Sequence, residues 1–311
     1  MIVSRPAYYD RFRCLASQCP DSCCQEWSVQ VDEDALALYR SLPGPLGERI
    51  RSVLTLEDGE PVFAVENGRC PMWRDDGLCR IQAELGEQAL CRVCREYPRI
   101  RHDFGDFAEL QLELSCPEAA RLILLSPPEP RLTREAPDTD PPEYDREEMA
   151  LLKRQRQTLL EILCDPSLPP AQALLTFYRA ASGEALAPEG PGDIRPMADF
   201  FASLEILTQA WPALLAKAAP RPLHPLTPAL ARYLTERYWL REDLGDSWGK
   251  AGLITACCLL VSSLGDDFIE NAQLFSKEVE NCAENMDALA DAVYDHPAFS
   301  PENLTALLRN S

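Results

Sequence analysis

Histidine and lysine are scarce in this 311-residue chain. Its three histidines are His102, His224 and His296. A metal site built on paired imidazoles is therefore not signalled, and only His102 lies near the cysteines described below. Four of the 30 basic residues are lysines, Lys153, Lys217, Lys250 and Lys277, and codon bias in a GC-rich genome accounts for the preference for arginine. Glycine-patterned cofactor turns are missing. No Gly-x-Gly-x-x-Gly follows a hydrophobic strand, which removes the signal for a dinucleotide fold, and there is no phosphate-binding loop or serine nucleophile elbow. The usual Cys-x3-Cys-x2-Cys loop of radical S-adenosylmethionine enzymes is absent as well.

Long apolar runs and positive charge are lacking too. The longest apolar stretch, residues 251–265, is too short and too mixed to span a bilayer and reads as a buried helix. The opening MIVSRPAYYDRF is too polar for a signal peptide. A cytoplasmic protein that does not engage the membrane is expected, with its thiols reduced. The formal net charge is −20, and residues 1–120 contribute 13 arginines against 21 acids. Acidity spread along the chain argues against nucleic acid as a partner, because phosphate recognition needs clustered cations. It suits a basic protein segment, or serves solubility alone.

What the chain has is cysteine. Of its 13, nine fall before residue 117: Cys14, Cys19, Cys23, Cys24, Cys70, Cys79, Cys91, Cys94 and Cys116. Several sit beside Gly, Pro, Asp or Arg (GRCPMW, DGLCR, CRVCREYPR) rather than inside apolar runs, unlike Cys164, Cys257, Cys258 and Cys282, which read as buried packing residues. Thiolates are soft ligands that select zinc or iron–sulfur clusters. The Cys91-x2-Cys94 pair brings two sulfurs onto one tight turn, leaving other segments to complete a set. A disulfide framework fits neither the compartment nor the size of the chain. The adjacent Cys23 and Cys24 serve two sites, or one of them is a spectator.

The expected fold is mainly α. A small cysteine-rich metal- or cluster-binding unit with a few short strands occupies residues 1–125, a proline-rich linker residues 126–145, and an α-helical domain residues 146–311. Helical periodicity covers residues 147–164, 197–218, 228–240, 252–264 and 268–294, the last with Asp266 and Asp267 at its N-cap. Strand patterning is confined to residues 28–31, 61–65 and 107–114. Breaks in the helical part are expected at residues 187–196 and 219–228.

The blocks YYDRFRCLASQCPDSCCQEWSVQVD, GRCPMWRDDGLCRIQAELGEQALCRVCREYPR and LELSCPEAARLIL, with the weaker ALARYLTERYW and FSKEVENCAENMDAL, resemble the flagellin lysine-N-methylase family. The first three also resemble the wider group of zinc- or iron-chelating cysteine domains. The resemblance implies an S-adenosyl-L-methionine-dependent protein lysine N-methyltransferase with a flagellin-type substrate. It also implies a 4Fe–4S cluster on the nine N-terminal cysteines, with zinc as the alternative metal. A non-catalytic zinc- or iron-chelating protein-binding module is the competing reading. Arg92, Arg95 and Arg99, with Arg101, form a basic group that would hold a carboxylate of the methyl donor or pair with surrounding acids. Trp27, Trp73, Tyr97, Tyr8 and Tyr9 are candidates to hold a methylated ammonium, or are packing residues.

Overall fold

The computed structural model describes residues 1–137, 141–183, 191–241 and 244–311. Among them run seven strands: β1 (Ile2–Arg5), β2 (Val29–Gln30), β3 (Leu54–Glu57), β4 (Glu60–Phe63), β5 (Arg99–Asp103), β6 (Phe107–Leu112) and β7 (Leu132–Glu135). The helices are α1 (Glu33–Ser41), α2 (Gly44–Val53), α3 (Arg80–Leu85), α4 (Arg92–Glu96), α5 (Pro117–Leu125), α6 (Arg146–Leu163), α7 (Pro170–Ser182), α8 (Arg195–Ala202), α9 (Ala210–Leu215), α10 (Thr227–Tyr238), α11 (Ser247–Ser263), α12 (Phe268–Phe275), α13 (Ala283–Asp295) and α14 (Pro301–Arg309). The fold is mainly α. No helix is long and apolar enough to cross a membrane.

The chain forms two compact units. One comprises Arg13–Ile100 with Cys116–Glu118; the other comprises Met1–Phe12, Arg101–Ser115 and Ala119–Ser311. The first carries all nine N-terminal cysteines. Its division from the rest falls around residues 100–118, whereas the composition of the chain suggests a boundary at 125.

Within the cysteine unit, β4 is the middle strand of a three-stranded sheet ordered β2-β4-β3. Both outer strands converge on Phe63, which stands opposite Val29 and Leu54. Helix α1 starts at Asp32, whose carboxylate accepts the Ala35 amide at 3.2 Å, and Glu33 and Asp34 complement the helix dipole in the first turn. The apolar faces of α1 and α2 cover the sheet through Ala35, Tyr39 and Ile50, which join Val29, Val31, Phe63, Met72, Ile81, Cys70 and Cys91 in one buried cluster.

The helical unit holds a second sheet, ordered β5-β6-β1-β7. β1 is parallel to β6, with Val3 opposite Ala108, and antiparallel to β7, with Val3 opposite Arg134. β7 falls in the proline-rich stretch that reads as a linker. It is an edge strand with all four residues exposed, the position that such a sequence tolerates. Residues 138–140 of that stretch, and residues 187–190 of the expected second break, lie outside the described residues.

Helix α11 is the axis of the helical unit. Asp246 caps it by accepting the Gly249 amide at 2.9 Å, and residues 249–263 are all buried. A helix apolar on every side belongs inside a bundle, and α7, α10, α13 and α14 pack around this one. Prolines at N1 start α7 and α14, and Gly183, at φ 71°, closes α7 in the left-handed conformation.

Two of the expected helices are broken. Residues 197–218 form α8 and α9, separated by a segment that the buried Glu278 organises. Its carboxylate accepts the amides of Leu207 and Thr208 at 2.8 and 2.9 Å and the Thr208 hydroxyl at 2.5 Å. Residues 268–294 form α12, a π-helical turn (Ser276–Glu280) and α13. Asp267 occupies the N-cap position of α12 without a side-chain capping bond.

Candidate metal centre

Local backbone bonds bring distant cysteines together. The Cys70 amide donates to the Cys24 carbonyl at 2.8 Å, with Gln25 and Arg69 bridged alongside. Trp73 and Cys79 are bridged, and the Arg80 amide donates to the Met72 carbonyl at 2.8 Å. Asp32 orients the third segment. One of its oxygens caps α1 and the other accepts the Arg92 amide, the first of α4, at 2.6 Å. That bond holds the Asp32 carboxyl below its ordinary range. Tyr39, fully buried, donates to the Ala89 carbonyl at 2.7 Å, and its hydroxyl lies 3.5 Å from the Cys91 sulfur. Cys79 and Cys91 therefore each stand at the N-terminal end of a short helix.

Electrostatics tie six sulfurs into one group. Cys23, though exposed, is raised by its hydrogen bond to Cys24. Cys94 is raised by its bond to Cys91, by burial, and by the charges of Cys91, Cys24 and Cys23. Cys70 is pushed up to about 11, by burial and then by Cys79, Cys91 and Cys23. Cys79 is raised by burial, against the amides of Gln82 and Ile81, and further by Cys23 and Cys91. Cys91 alone moves down. It accepts a hydrogen bond from Cys94, which outweighs its burial, and the Tyr39 hydroxyl adds to the effect. The charges acting on Cys23, Cys70, Cys79 and Cys94 are chiefly those of other thiols, and the charge facing Cys91 is Asp32. Six thiols cannot ionise together without a countercharge, and a cation among them reverses the balance by deprotonating each sulfur it binds.

The spacing of the group bears on which cation fits. Four thiolates on one zinc at about 2.3 Å stand roughly 3.8 Å apart. Among the described residues, no three of the nine N-terminal sulfurs lie within 4.8 Å of one another. A four-iron cluster places each thiolate on a different iron and holds its ligands farther apart. The donor chemistry of Cys23, Cys24, Cys70, Cys79, Cys91 and Cys94 suits such a group.

The other residues that the sequence singles out lie at the margin of this group or away from it. Cys19 feels Cys14 and Cys23 at the margin, and Cys14 is exposed. Cys116 is buried immediately before α5. Arg92 is exposed, while Arg95 and Arg99 are half-buried. Arg101 pairs instead with Asp103 at 2.6 Å. Trp27 packs on the core of the cysteine unit, and Trp73 lies under the Arg69 guanidinium at 5.2 Å. Tyr97 precedes Pro98 through a cis peptide. Tyr8 and Tyr9 belong to the helical unit. So does His102, whose ionisation is governed by burial and by Arg237 and Arg241 of that unit, not by the sulfurs.

A Lysine-N-methylase of Salmonella typhimurium is 30% identical over 138 residues, covering 40% of this chain and 33% of that protein. The Flagellar biosynthetic protein FliU of Salmonella muenchen is 29% identical over 138 residues, covering 40% of this chain and 78% of that protein. A Lysine-N-methylase of Salmonella choleraesuis matches at 29% over the same length, again across 33% of its own sequence. Over 40% of its length the chain is similar to proteins named Lysine-N-methylase and Flagellar biosynthetic protein FliU. The match spans about a third of the length of the two enzymes so named. No family model matches the chain, and no solved structure does.

The two C-terminal blocks of the resemblance meet. ALARYLTERYW supplies Tyr233, Arg237 and Tyr238 from α10, and FSKEVENCAENMDAL supplies Glu280 from the π-helical turn. Arg237 Nε lies 3.3 Å from Glu280 and donates to the Tyr238 hydroxyl at 3.0 Å. Tyr238 donates to Glu280 at 2.6 Å, and Glu113 stands 3.7 Å from the same guanidinium. In β6, two and four positions before Glu113, lie Gln111, buried with both amide atoms unpartnered among the described residues, and Glu109, gripped by Arg156 at 2.8 and 2.6 Å. Sequence patterning does not reveal this polar layer. Its only outward sign is a concentration of charge, KEVE, inside an otherwise apolar helical pattern, and a π-helical turn is a frequent mark of a functional segment.

Proposed function

We propose that the chain is an S-adenosylmethionine-dependent protein lysine N-methyltransferase that carries an iron–sulfur cluster of the 4Fe–4S kind and acts on a flagellin-like protein. The observation that carries the reading is the gathering of Cys24, Cys70, Cys79, Cys91 and Cys94 around one buried cluster, in a chain similar over 40% of its length to a protein named Lysine-N-methylase. Cys23, Cys24, Cys70, Cys79, Cys91 and Cys94 supply the candidate ligands, more than one cluster requires. When bound, the cluster would offer an open iron to the amino and carboxylate groups of the methyl donor. Arg92, Arg95 and Arg99 flank Cys91 and Cys94 in the chain and would pair with the donor's carboxylate. The target lysine must shed its proton before its nitrogen attacks the methyl carbon, so its pocket has to be desolvated and must present a proton acceptor.

Anaerobic preparation tests the metal. Iron and sulfide in near-equal amounts support the reading, and a colourless protein holding zinc alone sinks it in favour of a chelating protein-binding module. Co-expression with flagellin tests the reaction. Mass increments of one or more methyl groups on flagellin lysines are expected, and their absence from a cluster-loaded preparation would refute the activity.

A further inference from the structure

Lys153 on α6 occupies an unusual place. Its ammonium nitrogen lies 3.3 Å from the centroid of the Phe107 ring, and it makes no ion pair or hydrogen bond among the described residues. Phe107 opens β6. It is stacked on Phe104 with centroids 4.4 Å apart and meets the edge of Tyr144 at 6.1 Å. The Tyr144 hydroxyl donates to the Asp106 carboxylate. A ring face attracts a cation electrostatically and, unlike a carboxylate, does not need its N–H groups, so it holds a methylated ammonium as well as a bare one.

Lys153 and Phe107 line a cavity of about 480 Å³ in the helical unit. Its other charges are largely spent on each other. Arg156 grips Glu109, and Arg131 pairs with Glu236 at 3.3 Å. Asp106 faces the cavity with Tyr144 and the exposed Arg146, at 3.4 Å, as its partners among the described residues. The cleft therefore offers an aromatic face for a cation and a carboxylate beside it to take a proton. Burial lowers the Lys153 pKa, against the pull of Asp106 and Glu109, as a lysine being readied for attack requires.

We propose that this cleft receives the side chain of the substrate lysine and that Lys153 occupies the position when no substrate is bound. The proposal rests on the methyltransferase reading above for the identity of the substrate, but not for the binding chemistry.

Binding tests this without catalysis. Tetramethylammonium and free N-trimethyl-lysine are titrated by NMR or calorimetry into the full chain, into Lys153→Ala and into the milder Lys153→Gln. Both variants are expected to bind the probes at least ten-fold more tightly than the native chain, and Phe107→Leu added to either is expected to abolish the gain. Probe binding that is unchanged in both lysine variants, or a gain that survives Phe107→Leu, overturns the proposal. Flagellin methylation is measured separately. Its absence with probe binding intact strikes the methyltransferase reading, whereas methylation without probe binding strikes only this cleft.

Discussion

The hydroxyl of Tyr39 and the sulfur of Cys91 lie 3.5 Å apart in the core of the cysteine unit, 52 positions apart in sequence. The same hydroxyl donates to the Ala89 carbonyl, so one phenol fixes the chain just before Cys91 and favours the thiolate of that cysteine. Tyr39→Phe leaves the Ala89 carbonyl buried and unpaired, at a cost of about 1–3 kcal/mol. It also raises the Cys91 pKa. In metal-free protein, the pH midpoint of Cys91 alkylation, followed by peptide mass spectrometry, is expected to move up. An unmoved midpoint rejects the role given to Tyr39.

Arg237 and Glu280 form the most deeply buried ion pair of the helical unit among the described residues, with side chains 8% and 0% exposed. Removing one member of such a pair strands the other charge, at about 3–5 kcal/mol. Arg237→Met is expected to lower stability by that amount in urea denaturation. Arg237→Met with Glu280→Gln is expected to recover much of the loss, because the stranded charge is gone. Equal losses in the single and double variants would show that the pair contributes through shape alone.

Acid sensitivity is predicted for His102. Burial, with Arg237 and Arg241, pulls its pKa down to about 4, against about 6.5 in the unfolded chain. The unfolded state therefore binds the extra proton first. Stability is intact above about pH 6.5 and declines as the pH falls toward 4, by an amount on the order of 3 kcal/mol for this group. His102→Gln is expected to flatten the decline between those limits, and an unchanged profile would assign it to other groups.

Metal removal should act on one unit only. Because ligand binding and folding are coupled in thiolate sites, chelation is expected to raise hydrogen exchange across residues 13–100 while α11 stays protected. Cys79→Ser and Cys91→Ser are expected to lower bound iron, and Cys282→Ser to leave it unchanged. Loss of protection throughout α11 would refute this confinement.

Much of the helical architecture is legible in the sequence. Periodicity over residues 147–164, 228–240 and 252–264 marks α6, α10 and α11, whereas α7 and α14 are not marked out by it. The breaks between α8 and α9 and between α12 and α13 do not. The first depends on Glu278, a carboxylate some 70 residues away in sequence that accepts the Leu207 and Thr208 amides, and no window of periodicity contains both; the second is the π-helical turn that carries Glu278 itself. The cysteine spacing marks out nine thiols but not the six that act on one another, since the bond joining Cys24 to Cys70 is long-range. Tyr39 is hidden because an apolar helical position is also where a tyrosine packs by default. Phe107 and Lys153 read as one strand residue and one helix residue; only the fold sets the ammonium on the ring.

The parallel pairing of β1 with β6 has a consequence for biosynthesis. The partner of the first strand begins at residue 107, so the whole segment from Arg13 to Ile100 must leave the ribosome before that ladder can close. Such sequence-distant pairing is slow to form. The thiols of the cysteine unit are thus translated while the helical unit is still an unfinished chain.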